Sequence, residues 1–222
     1  MTARRTSRAT QTGLVRGCCL GLVLLAAVAI FAAVEGFRAL AAPDLGAAPA
    51  GTSHGTDVAL IAAALAGDAG TQLLAGEHAV VVVSEQDLTV IALARNPSPD
   101  RFRNPQVRIR DGLLVVSAQS SIGPFGVTPV ARTQVVFSDP NNSPQISTQT
   151  VDYAVGQLDL PQWLGDRFDP VPSATVNFAK LFAANPILLT LSQALECVSV
   201  KPDGVHVGFH RPLSSADPSR CG

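Results

Sequence analysis

Four histidines, a pair of loop carboxylates, scattered serines and four cysteines are the residues of this chain that could ligate a metal, move a proton or attack a carbonyl. His54 lies in a low-complexity stretch and His78 at the start of a β-branched run, while His206 and His210 share one side of a closing strand. At ~3.3 Å per residue the last two stand about 13 Å apart, too far to bind one metal ion. No serine sits in a Gly-x-Ser-x-Gly elbow, and Ser120-Ser121 mark a strand end. Asp166 and Asp169 flank Arg167 in a polar loop, where carboxylates lack the burial that tunes an acid–base pair. The expectation is a protein without catalytic activity and without a cofactor or metal.

The cysteines carry a different chemistry. Cys18 and Cys19 fall at the start of an uncharged run and act as small apolar residues; Cys197 and Cys221 lie in the C-terminal part, where oxidation would pin the tail. A Cys197–Cys221 disulfide is the expected state, and two unpaired thiols are the alternative.

The elements that must position these residues begin with the run GCCLGLVLLAAVAIFAAV, residues 17–34, which carries no charge. Arg4, Arg5, Arg8 and Arg16 precede it, and Glu35, Arg38 and Asp44 follow. About 18 apolar residues just cross a hydrocarbon core of ~30 Å, and the basic flank places the N-terminus in the cytoplasm. The expected organisation is a cytoplasmic segment over 1–16, a transmembrane signal anchor over 17–35, a flexible Ala/Gly/Pro linker over 36–56 and an extracytoplasmic domain over 57–222. Cleavage after Ala39-Leu40-Ala41 is the competing reading of the same run. Net charge −1, one Trp and one Tyr give no basic face and no stacking series, so nucleic acid is not an expected partner.

Within the domain, residues 57–66 predict a short helix capped by Thr56 or Asp57. His78 to Val83 reads as a strand, and Ser84-Glu85-Gln86-Asp87 caps a helix over 85–95 that buries Leu88, Ile91 and Ala92. Four strands follow, at 106–110, 113–122, 126–138 and 145–155, separated by Asp-Gly, Gly-Pro and Asp-Pro-Asn-Asn turns. Residues 160–164 form a helical turn, 173–184 and 186–195 read as helices, and 197–201 with 205–209 make a closing hairpin. This order predicts an α+β fold in which an antiparallel meander curls around helices.

A two-residue turn at Asp111-Gly112 pairs Arg110 with Leu113, Ile109 with Leu114, Arg108 with Val115 and Val107 with Val116. Val107, Ile109, Leu114 and Val116 then share a face with Val127, Val135 and Phe137, and with Leu88 and Ile91 of the helix they would line an apolar interior. That interior is either a packed core or a groove for an acyl chain. Leu113 and Val115 lie on the other face, where the stems of Arg108 and Arg110 could cover them. Trp163, Leu164 and Phe168 form a short amphipathic turn, read either as a membrane-interface element or as a core anchor.

VVVSEQDLTVIAL, NPQVRIRDGLLVVSA, VGQLDLPQWL and VSVKPDGVHVGF, in this order and spacing, resemble small membrane-anchored extracytoplasmic proteins typified by YpmS and by the LmeA-like phospholipid-binding proteins, over about residues 79–209. These are similar to half of a tubular lipid-binding (TULIP-like) domain. The resemblance implies a roll with a hydrophobic interior able to hold phospholipid, and no catalytic residues. The expected function is lipid binding or handling at the membrane; the alternative is an envelope protein–protein interaction module with a packed core.

Overall fold

The computed structural model describes residues 11–46, 52–138, 145–165, 175–177, 194–211, 214 and 216–221, with side chains of the first helix described from Leu25 onward and those of 175–177 left aside. It is an α+β protein with antiparallel sheets.

Helix α1 runs Gln11–Leu40. Helix α2, Val58–Ala75, starts where the Asp57 carboxylate accepts the Ala59 and Leu60 amides, and its alanine-rich sequence favours the helix. It extends nine residues beyond the stretch expected to be helical. The reason lies on its far half: Leu65, Ala69 and Leu73, four residues apart, pack against Ala79, Val81, Val207 and Phe209. Helix α2 is also long and apolar enough, by length and composition, to cross a membrane; in α1 the side chains of 11–24, the first part of its apolar run included, lie outside the described ones. The contacts of α2 tie it to a sheet. The side-chain amide of Gln72 accepts the Val80 amide at 2.9 Å and donates to the Val80 carbonyl at 3.1 Å.

The strands form two sheets. In the smaller, β1 (His78–Val83), β10 (Gly204–His210) and β9 (Leu195–Lys201) lie in the order β1-β10-β9. In the larger, β2 (Arg103–Arg110), β3 (Leu113–Ile122), β5 (Pro129–Ser138), β6 (Gln145–Val155) and β7 (Leu158–Leu160) are neighbours in that order; β4 (Phe125–Val127) pairs with the end of β3, and β8 (Thr175–Asn177) with the start of β6. The helix expected over 173–184 gives way to strand at 175–177, and its remainder lies outside the described residues, as does all of the expected helix over 186–195 except its last two residues, where Leu195 already starts β9.

Helix α3, Glu85–Ala94, carries a full capping box: Ser84 Oγ accepts the Asp87 amide and Asp87 accepts the Ser84 amide. The β2–β3 hairpin has the register expected for Asp111-Gly112, and both turn residues take positive φ, 52° and 74°, as a type I′ turn requires. The strand expected over 126–138 is broken at Thr128, so that β4 returns along β3 before β5 begins.

Helix α4 is the single turn Gln162–Gly165, and a 3-10 turn, Pro218–Cys221, closes the chain against β9 and β10. A Cys197–Cys221 disulfide and a hydrogen bond from Ser199 Oγ to the Cys221 carbonyl hold that turn in place.

Candidate functional site

Helix α3 lies beside β2, an edge strand of the larger sheet, and its side chains reach the strand's unpaired backbone. Thr89 Oγ1 accepts the Val107 amide at 3.0 Å, and Glu85 Oε1 accepts the Ile109 amide at 2.6 Å. Glu85 and Thr89 are one helical turn apart, about 6 Å, and alternate strand amides are spaced by ~6.6 Å, so the two periods match. Arg110 Nη1 closes the pair by donating to the same Glu85 oxygen at 2.9 Å. Glu85 is fully buried, and this ion pair with its amide bond is what allows a carboxylate there.

Docked in this way, α3 stands off the inner face of the hairpin and leaves an open-sided apolar groove of about 240 Å³. Leu88 and Ile91 line it from the helix, Val107, Leu114 and Val116 from the hairpin, and Phe102 closes one end. Five of the nine residues expected to face the interior therefore meet in one groove. Ile109 is buried near Glu85 instead, Val127 is buried in β4, and Val135 and Phe137 are half-buried further along β5, outside the groove. The groove is somewhat smaller than the ~300–1,000 Å³ of pockets that enclose whole ligands, so it suits one end of an apolar chain. A second recess of about 440 Å³ lies on the outer face; Val115, Val130 and Ala154 line it together with Asp44, Arg110, Arg132 and Asp159, so its walls are mixed and carry both charges.

On that outer face, Val115 packs with Val130, Ala154 and Leu45. Leu45 comes from the stretch expected to be a flexible linker. The described residues of that stretch are held at several points. Gln157 donates from its backbone to the Arg38 carbonyl at 2.8 Å and from its side chain to the Ala42 carbonyl at 3.1 Å. Of the two arginines expected over that face, Arg110 donates to Glu85 and lines the outer recess beside Val115, and Arg108 Nη1 donates to the Val107 carbonyl at 2.9 Å.

A polar cluster that the sequence did not signal sits at the start of α3. Asp87, with no exposed surface, accepts the Ser84 hydroxyl at 2.8 Å, the Ser84 amide at 3.1 Å, the His54 amide at 2.8 Å and the Ser53 hydroxyl at 3.0 Å. His54 Nδ1 lies 2.6 Å from its Oδ2. Burial pushes the Asp87 carboxyl up, but the bonds from His54 and Ser84 outweigh it and bring the group down to about 2. The capping box was legible in Ser84-x-x-Asp87; its partner some 30 residues upstream had no local signal. Ser84 Oγ and Ser53 Oγ both donate to the Asp87 carboxylate, so neither is held as a nucleophile by His54. Among the described residues no group of three metal-ligating side chains comes together.

Trp163 is 75% exposed on α4, which removes it from the core, while Leu164 is half-buried and Phe168 lies outside the described residues. The turn is held by Gly165, where a Cβ would fall 2.1 Å from the Tyr153 ring. No family model, curated protein or solved structure matches the chain.

Proposed function

We propose that this is a membrane-tethered extracytoplasmic protein that binds or handles lipid without a catalytic step, with the groove between α3 and the β2–β3 hairpin receiving part of an acyl chain. The groove carries the reading: its walls are almost wholly apolar, it opens to the surface, and a membrane is the nearest source of apolar chains. The anchor is α1. Its Leu25, Val28, Ile30 and Phe31 are all more than half exposed, so the protein itself supplies no cover for them. With Arg4, Arg5, Arg8 and Arg16 ahead of the apolar run, the N-terminus lies in the cytoplasm and the sheets outside. The resemblance to LmeA-like phospholipid-binding proteins and a half-TULIP-like roll agrees with this reading.

The test is mass spectrometry of organic extracts from the full chain purified in mild detergent, beside Ala92→Trp, which fills the groove from its helical wall. Phospholipid retained by the parent and largely lost from the variant supports the proposal. Equal lipid on both proteins assigns it to the detergent belt around α1 and sinks the groove as its site. No lipid on either leaves the groove as a docking face for another envelope protein.

A further inference from the structure

We infer that the tip of the β3–β4 hairpin, Ile122 to Phe125, is a second membrane-contact element, seated in the phospholipid headgroup layer beside the root of α1. The inference rests on the anchoring reading above. If residues 17–35 span the hydrocarbon, the helix continues through 36–40, only five residues or ~8 Å further. The headgroup layer on each side of a bilayer is about 5–8 Å thick. The root of α1 therefore emerges at the outer edge of the headgroups, and whatever part of the body grips that root lies against the membrane.

The body grips it at the β6–β7 turn. Gly156 is pressed against the carbonyls that end α1; a Cβ there would fall 2.5 Å from those of Ala39 and Ala41, and its φ of +59° independently calls for glycine. Gln157 takes the Arg38 and Ala42 carbonyls. The Gly156 amide also donates to the Thr128 carbonyl at 2.8 Å, which brings the β4–β5 corner to the same place, and β4 itself packs against α1.

What the hairpin presents there is apolar. From Ser120 to Thr128 the sequence SSIGPFGVT carries no charge. Ile122 and Phe125 are cross-strand partners and stay 46% and 58% exposed, side by side on one face of the ribbon. Gly123-Pro124 makes the turn compact and withholds one amide donor, which lowers the cost of leaving water. The opposite end of β3 is different: its turn is Asp111-Gly112 flanked by Arg110, about 30 Å away along the strand. An apolar tip at the anchored end and a charged turn at the other give the sheet a membrane-facing end.

The test places a fluorophore at each end in the full chain, reconstituted in phosphatidylcholine vesicles. Trp163→Phe removes the native indole; Phe125→Trp or Asp111→Trp then supplies one reporter, with circular dichroism checking the fold. Phosphatidylcholine brominated near its ester groups should quench the reporter at 125 by about two-fold and shift its emission to the blue, and leave the reporter at 111 unchanged. Equal quenching at both positions, or none at 125 while the protein resists an alkaline wash of the vesicles, overturns the inference. If the wash strips the protein from the vesicles, the anchoring reading fails first and this inference falls with it.

Discussion

Asp87 keeps its charge out of contact with water because donors from its own capping box and from a stretch some 30 residues upstream converge on it, and this makes it the residue whose loss would be felt furthest. Asp87→Asn removes the charge that Ser84, Ser53 and His54 have in common. The expected loss is about 2–4 kcal/mol of unfolding free energy, read by chemical denaturation. The carboxyl sits lower in the folded chain, at about 2, than its usual 3.8. Its contribution is therefore present above about pH 3.8 and disappears as the pH falls toward 2, a span worth about 2 kcal/mol. Denaturation curves between pH 2 and 5 should show that slope in the parent and lack it in Asp87→Asn; a parent whose stability is flat over this window contradicts the assignment. Glu85 is a similar case: Glu85→Ala takes the acceptor from the Ile109 amide and the carboxylate partner from Arg110, and should cost about 3 kcal/mol.

Both sheets end in strands whose free edges are bonded by helix side chains, Gln72 on β1 and Glu85 with Thr89 on β2. An exposed edge is a template for pairing with another chain, and these caps occupy the donors that such pairing would use. Thr89→Val keeps the shape and removes the acceptor; it should cost about 1–2 kcal/mol and speed hydrogen exchange at the Val107 amide relative to its neighbours. Reduction of Cys197–Cys221, which closes a loop of 24 residues, should lower stability by about 3 kcal/mol, measured as a fall in Tm with reductant that a Cys197→Ala, Cys221→Ala chain does not show. The sequence carried the local parts of these elements and not the distant ones. The Asp111-Gly112 hairpin and the Ser84 cap were legible because every determinant lies within a few residues. The second sheet was not, because β1 finds its partner β10 more than 120 residues later, His78 opposite His210. The far half of α2 was missed for the same reason: Leu65, Ala69 and Leu73 mark a helix face only once β1 and β10 stand opposite it. The edge caps were invisible too, since Thr89 and Glu85 read as ordinary helix residues until β2 lies alongside.

Over the whole molecule, the stretch expected to be a tether does structural work in its described parts. Residues 38–46 hold the root of α1 to the sheet and lay Leu45 over Val115, and Ser53 with His54 fasten the next segment to α3. Leu45 thus covers Val115 from within the chain, while Leu113 on the same face stays half-buried. The groove was legible in part: alternation along β2 and β3 and the stripe on α3 named Leu88, Ile91, Val107, Leu114 and Val116, while Phe102, which closes one end, lay in a loop with no periodicity to mark it. Nor did the pattern say that α3 would stand off the sheet, because a filled core and an open groove need the same inward residues. The proposed function requires an acyl chain to enter this groove while α1 keeps the body at the membrane. Photo-cross-linking tests that most directly: full chain in vesicles containing a phospholipid with a diazirine on its acyl chain, irradiated, digested and mapped by mass spectrometry. Adducts are expected on peptides covering 85–97 and 102–118 in addition to those on α1, and should be lost in Ala92→Trp. Adducts confined to α1 in the parent protein would contradict the proposed function.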